Sequence, residues 1–239
     1  FLVKKTFELS DLEKNQINDL FNVVFEKSRT IVELSNQFTN NPFGYSYHAL
    51  MVDNGRVVGH NSGIPCYYIV NNQKQTFICN VDTMIDKDHR GIENFYDLMS
   101  AAYERYIKDG IAFVYGFPND NSYPLLTQLS FMEDIGKMDT YCLPMRIGGI
   151  KSNLKWLNWL SIAFCWSWIK ISCLFTSDKR TSFVIEKEAE SYNQTRYKRS
   201  DGNYSIVKEG TLKFVYKVIE YEGIRTAFLI DVIGKSSKQ

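Results

Sequence analysis

The apolar positions change period several times along the chain, and each change marks an element. In "ELSDLEKNQINDLFNVVFEKS" Leu12, Ile17, Leu20, Phe21, Val24 and Phe25 recur at helical spacing, with Ser10 or Asp11 placed to cap the start. "NNPFG" breaks that pattern. "YHALMVDNGRVVGHNSGIPCYYIV" reads as two strands joined at Asp53-Asn54-Gly55, and "NNQKQ" leads into a third, "TFICNVDTMI". Residues 47–85 are therefore predicted to form an antiparallel meander. Phe95, Leu98, Met99, Ala102, Tyr103, Tyr106 and Ile107 return to the i, i+3, i+4 spacing of an amphipathic helix, which Gly110 stops. The unbroken run "IAFVYGFPN" predicts a buried strand parallel to its predecessor. "NSYPLLTQLSF" predicts a short helix and "YCLPMRI" a closing strand.

Residues 148–178 carry all four tryptophans and few charges. A membrane-crossing helix needs about 20 consecutive apolar residues, and here Lys155, Asn158 and Lys170 interrupt the run. The stretch reads as an amphipathic or buried connecting helix. A helix lying on a membrane surface, with peripheral contact through 154–175, and a true span are the alternatives. Beyond it, a short helix near "EAESYNQTRY" precedes the strands "NYSIVKEG", "LKFVYKVIEYEG" and "IRTAFLIDVIG", with turns at Asp201-Gly202, Glu209-Gly210 and Glu222-Gly223. The expected organisation is a mixed α/β domain at 1–147, a connecting segment at 148–178 and a smaller sheet domain at 179–239.

At 239 residues the chain is long enough for a sizeable core, and 44% hydrophobic with 23% charged residues is ordinary for a globular protein. A net charge of +1 gives no global field to gather nucleic acid or anionic lipid, so any phosphate binding must be local. No nucleic-acid partner is expected, although Arg196, Lys198 and Arg199 form a local basic patch. Five scattered cysteines read as reduced thiols in a cytoplasmic protein. Three histidines are too few for a histidine-rich metal site, and Cys79 and Cys142 have no local histidine to make a nucleophile. The start at Phe1, with no signal-like segment, reads as a fragment of a longer protein.

The chemistry concentrates in "VDTMIDKDHRGIENF", residues 81–95, where a strand ends in a polar turn and enters the helix. A helix start has unpaired N–H donors and a partial positive charge, which together bind phosphate. Gly91 would let the main chain approach a ligand closely, and Arg90 would add a fork of donors. Alone, an Arg-Gly pair is equally a plain strand-to-helix connection.

The order of helix, hairpin strands, strand, Arg-Gly turn, helix, strand and "GFPNDNSYPLLTQLSF" resembles the GNAT superfamily of acyl-CoA-dependent N-acyltransferases. The resemblance covers about residues 1–147 and extends more weakly to 190–232, which is similar to the second, incomplete half of some larger bacterial members. It implies a mostly antiparallel sheet with splayed central strands, flanked by helices. It implies acetyl-CoA or another acyl-CoA as cofactor and an amine as acceptor. Main-chain groups at Met84 and Ile85 would hold pantetheine. Arg90, Gly91, Ile92 and Asn94 would hold the pyrophosphate, through main-chain amides around residues 88–94. Asn119 and Ser122 match positions of cofactor contact, and Tyr123 that of a proton donor for the departing thiolate. Asp82, expected to face solvent beside Val81 and Thr83, or Glu133 would take the amine proton, and His60 would sit on the acceptor side. The family turn is usually Arg-Gly-x-Gly or Arg-Gly-x-Ala; here Glu93 stands in place of the small residue. Its charge would either oppose a pyrophosphate or point outward and favour the helix start. The first possibility leaves open a non-catalytic binding or scaffold module. An enzyme of lipid-linked or envelope sugars and an aminoacyl-tRNA-dependent peptidyl transferase are further alternatives. The acceptor, an amino sugar, a small amine or a protein N-terminus, remains open, as does the oligomeric state.

Overall fold

A computed structural model describes residues 1–129, 131–137, 141–175, 185–187, 195–197, 203–210 and 212–233. The chain divides into two compact units, residues 1–134 with 183–202 and residues 135–182 with 203–239.

In the first unit, β1 (Leu2–Lys5), β2 (Tyr47–Asp53), β3 (Arg56–Val70), β4 (Gln73–Ile85) and β5 (Phe113–Gly116) lie side by side in chain order. The first four pair antiparallel, and β5 runs parallel to β4. A short β6 (Ile185–Lys187) pairs with the far end of β3. The meander and the parallel strand are thus as expected. β5, however, is an edge strand and only half-buried, with Phe113 49% exposed. The apolar run there reflects packing on one face, not burial on both.

Helices cover both faces of the sheet. α1 (Asp11–Phe25) starts at Ser10, whose hydroxyl accepts from the Glu13 amide while the Glu13 carboxylate accepts from the Ser10 amide. Thr30 and Glu33 repeat this box at α2 (Ile31–Thr39), a helix that the sequence pattern did not disclose. Ile17, Leu20, Leu34 and Phe38 of this pair pack on Leu50, Val57 and Met84. α3 (Ile92–Lys108) buries Phe95, Leu98, Met99, Ala102 and Tyr106 against Tyr47, Ala49, Ile78 and Ile85 on the opposite face. The short α4 (Tyr123–Gln128) adds Leu126 to this second core.

Two imidazoles lie between the sheet and α2. His48 Nδ1 and His60 Nε2 are 3.0 Å apart, both rings are fully buried, and Thr6 Oγ1 stands 3.0 Å from His48 Nε2. Burial, with a smaller contribution from Arg29, lowers His48 to about 3; burial, His48 and Arg29 together hold His60 well below its ordinary value. Both rings are therefore neutral in the fold. The unfolded chain, titrating near 6.5, binds more protons in acid, so stability falls as pH drops below 6.5. The slope is about 1.4 kcal/mol per pH unit for each ring. Unfolding free energies from urea titrations at pH 7 and pH 5 should differ accordingly, by about 2 kcal/mol for His48 with a further loss in the same direction from His60; an unchanged value would show that neither ring is held neutral by burial.

In the second unit, α5 (Asn158–Phe175) follows a 3₁₀ segment, Ser152–Leu157. β7 (Tyr204–Glu209), β8 (Leu212–Tyr221) and β9 (Ile224–Ile233) form a separate antiparallel sheet in that order. The turns at Gly210 and Glu222-Gly223 are as expected. Two expectations need correction. α5 is not buried: among its residues only Cys165 is buried. "YCLPMRI" forms no strand: residues 141–146 are irregular and Pro144 offers no N–H to a ladder. The helix expected near "EAESYNQTRY" lies largely outside the described residues, and 195–197 form a turn.

Candidate active site

β4 and β5 pair only from Phe77↔Phe113 to Asn80↔Gly116. Beyond that point β4 continues alone to Ile85, while the other strand ends at Gly116 and gives way to Phe117-Pro118. At the parting, a Cβ on Gly116 would stand 3.3 Å from Asn80 O, so the close approach depends on glycine. A β-bulge lies in the same place: the register slips between His60 and Ser62, and Asp82 adopts φ 53°. The left-handed conformation is unfavourable for a residue with a Cβ, though least so for Asp and Asn.

The Asp82 side chain holds this bend. Its Oδ2 accepts from Arg29 Nη1 at 2.7 Å and from Gln37 Nε2 at 3.0 Å. Arg29 is itself fixed: its Nε donates to Asn18 Oδ1, its Nη1 also donates to Gln37 Oε1, and its guanidinium carbon lies 3.5 Å from the Phe21 ring centroid. The side chains of Arg29 and Asp82 are 7% and 14% exposed. Burial raises the Asp82 carboxyl and Arg29 pulls it back in part; burial likewise lowers Arg29. Desolvation thus outweighs the attraction on both partners. Asp82 does not face solvent as the alternation suggested, because the bulge turns it towards α1 and α2.

Between the separated strands opens a cavity of about 840 Å³, within the usual range for a small-molecule site. Its wall contains Asp82, Thr83, Met84 and Ile85 of β4, Arg90, Gly91 and Ile92 of the turn, and Asn119 and Ser122 before α4. It also contains Val24 and Phe25 of α1, Asn80, and Phe117, which sequence reasoning missed. Eight of the twelve sequence-derived candidates therefore share one cavity. The other four lie elsewhere, and Glu133 among them is exposed and outside the cavity wall. The Asn94 side chain donates to His89 O at 2.7 Å and ties the turn from behind. The Tyr123 hydroxyl donates to Asp134 Oδ2 at 2.7 Å on the exposed side of α4. His60 is sealed beneath α2 with His48.

The turn is built as a donor cradle. The amides of Asp88 and His89 are taken by Asp86, through its side chain and its carbonyl. α3 begins with the Phe95 N–H bonded to Gly91 O. Among the described residues, none accepts from the main-chain amides of Arg90, Gly91, Ile92, Glu93 or Asn94. The free donors therefore run from 90 to 94, a shorter stretch than 88–94, and they stand at the positive end of a 17-residue helix. A Cβ on Gly91 would meet nothing within 4 Å, so the space above it is open. Arg90 Nε donates to Ile85 O, which orients the guanidinium beside the cradle. Glu93 is exposed and does not contribute to the cavity wall. The donor set, the open space at Gly91 and the size of the cavity fit a diphosphate-bearing cofactor with an extended arm along β4.

Comparison with known proteins bears on this arrangement. A family model described as an acetyltransferase (GNAT) domain matches residues 7–131, just over half of the chain. No curated protein matches the chain. Among solved structures, an Enterococcus faecalis protein described as a probable N-acyltransferase is 17% identical, with a TM-score of 0.44 over 53% of this chain and 31% of that one. This chain thus spans less than a third of that relative. A Trypanosoma brucei acetyltransferase is 16% identical, with a TM-score of 0.43 over 59% of this chain and 100% of the other. Glucosamine-6-phosphate N-acetyltransferase of Arabidopsis thaliana is 11% identical, with a TM-score of 0.43 over 59% and 99%.

Proposed function

The chain belongs to the GNAT acetyltransferase family, and on that premise we propose that it is an acyl-CoA-dependent N-acyltransferase acting on an amine of a small molecule or amino sugar, with acetyl transfer its first assignment. The observation that carries the proposal is the row of unpaired amides from Arg90 to Asn94, whose first three residues line the cavity beside β4.

Bound acyl-CoA supplies an activated thioester. The chain's residues bind and orient around it. The amides of 90–94 and the Arg90 guanidinium accommodate the diphosphate. Among the described residues, no strand pairs with the edge of β4 turned towards β5 from Val81 to Ile85, and that edge is free to hold an extended pantetheine arm. Asp82, in the cavity wall and raised by burial, takes the proton that the acceptor amine must lose. Arg29 and Gln37 are positioning residues for it. Tyr123 is at best an indirect participant while Asp134 holds its hydroxyl, and removal of that hydroxyl as Tyr123→Phe tests whether it gives the thiol its proton. The rival reading, a scaffold with a degenerate site, drew its support from Glu93, and an exposed Glu93 outside the cavity no longer favours it.

Calorimetry with acetyl-CoA should give saturable binding, and Arg90→Ala should weaken it by about tenfold, as expected on losing one charge-assisted contact. No heat and no thermal shift at saturating cofactor would count against the proposal.

A further inference from the structure

α5 is apolar nearly all round, and most of that apolar surface faces water and not the protein. Asn158, Ser161, Ile162, Cys165, Ile169 and Ser172 recur at spacings of three, four and seven and are the partly or wholly buried positions. Three of these six are polar, and two spend their polar groups on local packing. Asn158 Oδ1 accepts from the Gly148 amide, and Ser161 Oγ donates to Pro144 O. The outer side holds Trp159, Leu160, Phe164, Trp166, Trp168 and Leu174, each between 47% and 81% exposed. An apolar surface of this extent on a water-exposed protein marks an interaction site.

The chemistry of the surroundings selects the partner. Between Asp139 and Asp178 the sequence has no acidic residue and four basic ones, Arg146, Lys151, Lys155 and Lys170. Tryptophan favours the boundary between headgroups and acyl chains, and lysine stems lie along apolar surface with the charge in water. By length and composition, Ser152–Phe175 is sufficient to cross a bilayer. Topology opposes a crossing. Only residues 176–184 separate Phe175 from β6, and β6 is paired with β3 in the same sheet as the strands that precede the helix. A crossing would oblige those nine residues to return through the roughly 30 Å hydrocarbon core without partners for their amides.

We infer that the outer side of α5 docks into one leaflet of an anionic lipid bilayer, lying in the plane of the interface with both ends on the same side. The inference stands apart from the acyl-transfer reading, since it uses no residue of the cavity.

Vesicle flotation of the full chain tests it. The chain should float with phosphatidylcholine–phosphatidylglycerol vesicles and much less with phosphatidylcholine alone. The combined substitution Trp159→Gln, Trp166→Gln and Trp168→Gln should reduce partitioning by about tenfold or more. Lys151→Gln, Lys155→Gln and Lys170→Gln together should remove the preference for anionic vesicles. Lipids carrying a quencher at a shallow depth should quench the tryptophan fluorescence more than lipids with a deep quencher. Unfolding midpoints should match those of the unsubstituted chain, since the altered side chains face outward. Failure to float with either vesicle would overturn the inference. So would a mass doubling in solution that the tryptophan substitutions abolish, which would give the surface to a second copy. Quenching strongest at the bilayer centre would contradict placement in one leaflet.

Discussion

Gly91→Val should lose coenzyme A binding by about two orders of magnitude, close to 3 kcal/mol, while the chain stays folded. The space above Gly91 is open, so a side chain there meets no protein atom. Its φ of 177° is extended backbone that valine adopts readily. Gly91 is the N-cap of α3, where glycine is preferred to valine, so stability should fall by about 1 kcal/mol and the chain should remain folded. The same side chain would occupy the hollow lined by Arg90, Gly91 and Ile92 at the start of the free amides, and it would keep a diphosphate out of hydrogen-bond range. Calorimetry beside a urea titration separates the two effects. Tight binding by the valine variant would show that the cofactor lies elsewhere; a large loss of stability would show that the hollow is part of the fold's own packing.

The second large effect is expected at Asp82. Asp82→Asn should lower kcat by about 10²–10³-fold, in the range of a lost general base, with cofactor affinity nearly unchanged. The substitution keeps an oxygen to accept from Arg29 and Gln37 but removes the carboxylate paired with the buried guanidinium, leaving only Glu33 to act on it, and that destabilises the fold. Activity alone would not distinguish the two roles. The pH profile does. Burial raises the Asp82 carboxyl, so activity of the parent should rise through a pKa above the usual carboxylate range, and the asparagine variant should lack that limb. A variant with the parent's profile and rate would leave Asp82 a purely structural ion-pair partner.

How much of this was legible before the coordinates depends on the kind of interaction. The Arg90-Gly91 turn could be read because two local periods meet there, alternation before it and the 3.6-residue repeat after it, and a helix start has unpaired amides wherever it occurs. The parallel placement of β5 was read from the unbroken apolar run "IAFVYGFPN", although the strand proves only half-buried. Asp82 was misread because its orientation depends on a one-residue bulge. A slip of one position in a strand reverses the face of a side chain, and its partners, Arg29 and Gln37, lie 53 and 45 residues away. Only the tolerance of Asp for left-handed backbone hinted at it. His60 was placed on the acceptor side by chain position, yet its neighbour His48 in the adjacent strand and Phe38 above it make it part of the core. "YCLPMRI" has strand composition without a strand to pair with, and β propensity reports fit to a neighbouring surface more than an intrinsic preference. Glu93 was the hardest to weigh, because its effect depends on a side-chain direction that residue order does not fix.

The central claim is that the amides of Arg90–Asn94 are free and receive a diphosphate. Amide NMR of the labelled chain titrated with coenzyme A tests it most directly. Large shifts confined to the resonances of 90–94 and to the cavity edge of β4, together with slowed amide exchange at 90–94, are the expected result. Unchanged resonances at 90–94 under saturating coenzyme A, or shifts centred on another part of the chain, would contradict it.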